Sequence, residues 1–293
     1  MAENSKIQWT DHTFNPWIGC AKVSPACKFC YAERFAERYG HARWGENGTR
    51  KRTSTANWNK PRQWNRLAEK NNTRYRVFCA SLADVFEDHA QILSEWREDL
   101  FKLIKETPNL DWLLLTKRPE NYKKFLPSDW GYGYENVWLG ISVENQEYAD
   151  QRIPILVNTN AAIRFISAEP LLGTVNLSKV GCEVCANGRS IGESGGFSPC
   201  PSCDNNHWNT LIDWMIIGGE SGFKTKVRDL DLSIVKRTID NAGDVKIFFK
   251  QLGVLAASKF KLNDINGGDI DEYPPALEWL KRRESPELLN PLK

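Results

Sequence analysis

The chain of 293 residues predicts an α/β fold, a parallel sheet covered by helices and closed as a full or partial (β/α) barrel. A doubly wound sheet is the alternative. Three observations carry this expectation. Short, continuous apolar runs alternate with stretches of helical periodicity, the pattern of a parallel sheet buried on both faces. Each run ends in polar residues, as strands leading into a site do. Hydrophobic residues make up 41% of the chain, enough for a sizeable core. No apolar run approaches the roughly 20 residues needed to cross a bilayer, so no membrane span is expected.

The elements follow in order. A short strand is expected near Ile7-Gln8-Trp9. Tyr31 to Gly40 has good helix formers and a terminal glycine, with Phe35 and Tyr39 on one face by i,i+4 spacing. Arg43 to Asn72 reads as loops and short helices. Val77 to Ser81 reads as a buried strand. An amphipathic helix spans His89 to Glu106, with Ile92, Leu93, Trp96, Leu100, Leu103 and Ile104 on one side. Further strands are expected at Trp112–Thr116, Val137–Ser142, Arg164–Ser167, Trp214–Gly218 and Lys246–Phe249. Helices are expected near Glu120–Phe125, Glu147–Val157 and Leu232–Ala242. A single barrel domain over residues 1–293 follows, interrupted by an insertion at 175–209.

The polar residues after the strands gather into a pattern. Ser81 is followed by Asp84, and Thr116 by Lys117 and Arg118. Ser142 precedes Glu144 and Asn145, and Ser167 precedes Glu169. Gly218-Gly219-Glu220-Ser221-Gly222 ends one strand and Lys250-Gln251 another. Any one of these is ordinary turn chemistry. Six strand ends together predict a site, because a parallel barrel gathers them at one mouth. Lys117, Arg118 and Lys250 would there meet phosphate or carboxylate.

Charge is unevenly distributed. The net charge is +2, yet Lys28 to Arg76 holds 13 Lys and Arg against 4 Asp and Glu, a balance of +9. Trp44, Trp58 and Trp64 lie among these charges. Basic residues interleaved with aromatics suit a phosphate backbone with bases to stack. The plainer reading is a solvated basic surface with its aromatics turned inward. The polar opening Met1 to Lys6 has no signal-peptide core, which predicts a cytoplasmic, reducing location. There the eight cysteines are expected to be metal ligands or structural thiols.

They fall into two sets. Cys182-x2-Cys185 and Cys200-x2-Cys203, with 14 residues between them, have the spacing of a four-thiolate zinc site. The glycine-rich, apolar-poor segment between them cannot form a core, so zinc would supply its folding energy. A rubredoxin-like iron site or a redox pair is the alternative. The other set is Cys20, Cys27 and Cys30, spaced C-x6-C-x2-C. Three such thiols can hold three irons of a [4Fe–4S] cluster and leave the fourth open. Zinc with His12 or Cys79 as fourth ligand, or a cluster saturated by Cys79, are the other readings. Cys79 lies in an apolar run, where a buried free thiol is ordinary. Cys27-Lys28-Phe29-Cys30 places an aromatic directly before the last ligand.

Cys-x-aromatic-Cys resembles the closing half of the radical SAM signature, in which the aromatic helps hold the adenine of S-adenosylmethionine (SAM). The usual opening spacing there is three residues; here it is six. Ile7 to Asp11, Asn15-Pro16-Trp17, Gly19-Cys20 and Cys30 to Arg34 resemble the opening of a phage- and prophage-associated radical-SAM-like family of uncharacterised function. Ser167 to Gly173, Gly218 to Gly222 and Phe248 to Gln251 resemble its later blocks. The resemblance implies a barrel of radical SAM type, a [4Fe–4S] cluster on Cys20, Cys27 and Cys30, SAM held partly by Phe29, and an electron donor. Typical members carry Gly-Gly-Glu after the second strand, touching the methionine amino group. Here that strand ends in Ser81-Leu82-Ala83-Asp84, and Gly218-Gly219-Glu220 comes much later. Strand order therefore favours Asp84 or Ser81 over Glu220 for that role, with Glu144 and Glu169 available to ribose or substrate. The expected function is radical modification or repair of a nucleic-acid base or nucleotide. A non-catalytic zinc or iron–sulfur nucleic-acid-binding protein and an electron-transfer partner are the competing expectations.

Overall fold

The computed structural model describes residues 4–177, 211–222, 224 and 226–286. The four cysteines of the expected zinc site, Cys182, Cys185, Cys200 and Cys203, lie outside the described residues, as does most of the expected insertion.

The elements are β1 (His12–Phe14), β2 (Trp17–Ile18), α1 (Tyr31–Arg38), β3 (Lys51–Arg52), α2 (Thr55–Trp58), α3 (Lys60–Lys70), β4 (Tyr75–Cys79), α4 (Ser94–Lys105), β5 (Leu110–Thr116), α5 (Tyr122–Phe125), β6 (Val137–Ser142), α6 (Gln146–Val157), β7 (Ile163–Ala168), β8 (Trp214–Gly218), α7 (Leu232–Asp240), β9 (Lys246–Gln251) and α8 (Val254–Lys259). Seven strands form one sheet in the order β1-β4-β5-β6-β7-β8-β9. Sheet order repeats chain order throughout. A doubly wound sheet reverses direction at a switch point, so its alternative is excluded. Sequential parallel winding with intervening helices is that of a partial (β/α) barrel.

The chain divides into two compact units, Met1–Ser142 with Thr159–Ala162, and Val143–Asn158 with Ile163–Lys293. In the first, β1 pairs parallel with β4 (His12 opposite Val77), β4 with β5 (Val77 opposite Trp112) and β5 with β6 (Leu113 opposite Trp138). These strands are apolar on both faces because both are covered: Val77, Trp112, Leu113, Leu114 and Leu139 are wholly buried. In the second unit β7 pairs parallel with β8 (Phe165 opposite Trp214) and β8 with β9 (Trp214 opposite Lys246). Its α6 starts on Asn145, whose side chain accepts the Tyr148 N–H at 3.2 Å, and α7 starts on Asp231, which accepts the Ser233 N–H at 2.8 Å.

Some expectations need correction. The first strand is His12–Phe14, not Ile7–Trp9, which forms a turn closed by Thr10 N–H to Ile7 O at 3.2 Å. Trp9 supplies apolar bulk there by packing its ring 4.7 Å from Phe78. The long helix begins at Ser94 rather than His89, since Leu93 is extended, and Leu93 is exposed. The basic region contains a regular helix, α3, started by Pro61 in its first turn.

Candidate functional site

The cysteine triplet occupies the segment between β2 and α1. Gly19 opens it with φ +119°, and a Cβ there would lie 2.2 Å from the Thr49 carbonyl oxygen, so only glycine fits. The Gly19 N–H donates to Leu82 O at 3.0 Å, which ties the segment to the end of β4. Pro25–Phe29 makes a 3-10 turn carrying Cys27, and Cys30 is the residue that begins α1. All three are free thiols and partly buried. Burial pushes the Cys20 thiol up to about 12, with Asp84 and Glu87 adding to the effect and Arg118 opposing it. Burial also raises Cys30.

The donor set fits an iron–sulfur centre: three thiols on one continuous segment, the first of them receiving an N–H from Arg118 Nη1 at 3.5 Å. Among the described residues, no three His, Cys, Asp or Glu side chains are grouped for a single metal ion. The candidate fourth ligands sit elsewhere in the core. Cys79 is wholly buried within β4, in register with Phe14 and Leu114. His12 stacks on Trp64 with ring centroids 4.3 Å apart.

Behind Cys20 lies a buried ionic network. Arg118 Nη1 meets Asp84 Oδ2 at 2.9 Å, and Nη2 meets Glu87 Oε1 at 3.2 Å and Ala21 O at 2.9 Å. Glu87 also accepts the Ala21 N–H at 2.9 Å and takes Arg50 bidentately at 2.6 and 2.8 Å. Asp84 further accepts the Thr116 hydroxyl at 2.7 Å, the Phe86 N–H at 3.0 Å and the Lys117 N–H at 3.2 Å. Two carboxylates and two guanidiniums balance each other, which is what allows them to be buried. Arg118, expected at the mouth to meet phosphate or carboxylate, instead spends its donors inside the protein, with its side chain 8% exposed. Glu87 carries no expectation from the sequence, and Arg50 belongs to the basic stretch expected to meet nucleic acid, whereas its side chain is wholly buried against Glu87. The available signal was the carboxylate pair Asp84-x2-Glu87 directly after a strand.

The remaining predicted residues fall as follows. Ser81 accepts the Asn15 side-chain amide at 3.0 Å, and Tyr31 hydroxyl donates to Ser81 O at 2.9 Å. Phe29 is partly buried with Lys28 Nζ 5.3 Å from its ring centroid. Lys117 Nζ donates to Ser142 Oγ at 2.9 Å. In the second unit Glu144 pairs with Arg152 at 3.0 Å, Glu169 with Lys250 at 2.9 Å, and Glu220 with Arg228. The Gly218-Gly219-Glu220 turn has a packing reason of its own. A Cβ on Gly218 would lie 2.8 Å from Glu169 Oε1, and one on Gly219 would lie 2.2 Å from Leu252 O.

The basic, tryptophan-rich region is less open than its composition suggested. Trp58 and Trp64 are core residues, 7% and 2% exposed. Several of its cations find acids from a later stretch of chain: Arg50 with Glu87, Arg52 with Asp99, Arg62 with Glu106 and Arg74 with Asp111. The exposed aromatics are instead on and after α1, where Tyr31, Phe35 and Tyr39 are 45%, 39% and 56% exposed. Tyr39 lies over His41 at 6.0 Å and under Arg38 at 5.6 Å.

A sequentially wound parallel sheet with a thiol-bearing segment tied to the end of one of its strands defines the class of this protein as an α/β protein of partial-barrel type. The chain belongs to a family of proteins of unknown function, DUF5131, whose pattern it matches over residues 4–278. No curated protein matches it. Among solved structures, a variant of spore photoproduct lyase with bound AdoMet and dinucleoside spore photoproduct is similar at TM-score 0.41 and 10% identity, covering 85% of this chain and 66% of that one. The match thus spans just under two thirds of that chain, and nothing about activity passes across at such a likeness.

Proposed function

We propose that the protein is a radical SAM enzyme acting on a nucleic-acid base or nucleotide. The observation that carries the reading is the thiol triplet itself, held on one segment whose first residues are tied to the ends of β4 and β5 through Leu82 and Arg118. Cys20, Cys27 and Cys30 would each take one iron of a [4Fe–4S] cluster. When bound and reduced by an electron donor, that cluster supplies one-electron cleavage of SAM and hydrogen abstraction from substrate. Phe29 lies against the adenine in this reading. Ser81, at the end of β4, keeps a hydroxyl near the ligand loop, whereas Asp84 has its oxygens committed to Arg118, Thr116 and backbone N–H groups. Asp84 accordingly supports the loop rather than contacting methionine. Glu144, Glu169 and Glu220 are the acidic groups proposed for ribose or substrate hydroxyls, each of which would have to share or release the cation it now holds, Arg152, Lys250 or Arg228. The four later cysteines form a separate structural zinc site.

A nucleic-acid substrate is supported by α1 and the residue that follows it, which expose Tyr31, Phe35 and Tyr39 interleaved with Arg34 and Arg38. Aromatic faces among guanidiniums stack bases without sequence preference, at about 1–3 kcal/mol per base. The test of the enzyme is anaerobic reconstitution. The expected result is a [4Fe–4S] EPR signal that changes on adding SAM, with 5′-deoxyadenosine released. Zinc alone in both cysteine sets would sink the reading and leave the non-catalytic one. For the substrate, Tyr39→Ala combined with Arg38→Ala should weaken single-strand affinity and flatten its salt dependence; unchanged binding would remove nucleic acid from the proposal.

A further inference from the structure

Cys20 differs from the other two cysteines in how firmly it is held. Its carbonyl accepts the Gly45 N–H at 2.9 Å. The next residue, Ala21, gives its N–H to Glu87 and its carbonyl to Arg118, both at 2.9 Å. Arg50 closes the circuit by donating to Gly45 O at 3.2 Å while it grips Glu87. The Cys20 sulfur meets Arg118 Nη1 at 3.5 Å. Cys27, by contrast, has a Ser24 hydroxyl 3.8 Å from its sulfur.

We propose that Arg118 is a positioning residue for Cys20: locked by Asp84 and Glu87, its guanidinium fixes the backbone beside the first cluster ligand and donates an N–H to that ligand's sulfur. The inference rests on the cluster reading for its second half. A single planar fork reaches four acceptors here, two carboxylates, a carbonyl and a sulfur. A lysine, with one nitrogen, cannot reproduce that arrangement. N–H donation to a ligand sulfur stabilises the added negative charge of a reduced cluster, so it raises the potential at which the cluster accepts an electron. No bond is made or broken at Arg118; its effect is on placement and on electron affinity.

Two variants test this, Arg118→Lys and Arg118→Met, each with two measurements. On the metal-free protein, hydrogen exchange at residues 19–22 should become about tenfold faster or more than in the parent, with β6 amides unchanged, because local opening no longer has to break the Arg118 contacts. On the reconstituted protein, the cluster's midpoint potential should shift to lower values at equal iron content. If Arg118→Met fails to fold, Arg118→Lys and Glu87→Gln carry the test, since both keep volume and retain part of the network. Unchanged exchange in the loop overturns the proposal. So does faster exchange with an unchanged potential, which would leave Arg118 a purely structural side chain. If the parent protein takes up no iron, the enzyme reading fails, while the exchange measurement still decides whether Arg118 fixes the loop.

Discussion

The strand-end charges of the two units are built differently. In the first unit Asp84, Glu87, Arg50 and Arg118 form one closed network, with neither guanidinium more than 8% exposed and Glu87 at 3%. In the second unit Glu144, Glu169 and Glu220 each have a single cationic partner, and Glu144 Oε1 has no hydrogen-bond partner among the described residues. Every acceptor in the first set that the protein can use is used, so its work is to hold the Cys20 segment. In the second set the Glu144 Oε1 atom keeps unspent acceptor capacity, whereas both Glu220 oxygens are taken by Arg228. Polar residues after strands thus serve two different ends within one sheet.

The sharpest way to break this comparison is to remove one acid from each set. Glu87→Ala removes the acceptor shared by Arg50, Arg118 and the Ala21 N–H, leaving Arg50 with carbonyl partners alone and Arg118 with one carboxylate instead of two. Breaking one partner of a buried charge network typically costs about 3–5 kcal/mol, so a large loss of thermal stability is expected. Glu144→Gln keeps shape and one acceptor, and its second polar atom has no protein partner to lose. It also leaves Arg152 buried without its counter-charge, the two side chains being 6% and 1% exposed, so it too should destabilise, but less than Glu87→Ala, which strips an acceptor from three donor groups. Equal losses in the two variants, measured by denaturant unfolding, would erase the distinction.

The fold was largely legible from the sequence because the strands are buried on both faces. Trp112 to Thr116, Val137 to Ser142 and Trp214 to Gly218 announce themselves as apolar runs, and chain order alone sets their sheet order. The three cysteines of the first set lie on one continuous segment, as their closeness in sequence requires. What could not be read was the partnering between distant segments. Arg50 and Glu87 are 37 residues apart and Arg118 and Cys20 98 apart, and no local pattern joins them. The same blindness exaggerated the basic region. Its excess of positive charge is real along the chain, but Glu87, Asp99, Glu106 and Asp111 fold back to offset it. Its tryptophans looked like stacking surfaces, whereas Trp64 packs on His12 in the core.

Glycines sharpen the contrast at the next scale of effect. Gly19 and Gly219 both face a backbone carbonyl at which a Cβ would stand 2.2 Å away, Thr49 O in the first unit and Leu252 O in the second. Neither carbonyl is the end of a flexible side chain, so an alanine must displace backbone at either place. Overpacking of this kind costs about 1–3 kcal/mol. Gly19 carries the further penalty of φ +119°, which Gly219 does not. Gly19→Ala should therefore be the more destabilising, and it alone should reduce iron uptake, because Gly19 adjoins Cys20. Gly218→Ala meets the carboxylate end of Glu169, which can swing aside, and should be the mildest of the three in an unfolding measurement.

The smallest effect belongs to the half-open pair Lys250–Glu169, whose side chains are 23% and 13% exposed at 2.9 Å. A pair that keeps access to water gains about 0.2–1 kcal/mol, and less at high salt. Lys250→Met should therefore change stability by no more than that, with the difference fading as ionic strength rises. A loss of several kcal/mol that persists in salt would mean that Glu169 is as enclosed as Glu87, and the second unit would then hold a closed network as well. The expected small, screened change instead leaves Glu169 free to exchange Lys250 for a donor on a bound ligand, so ligand binding, rather than folding, is where substitution of this pair should register.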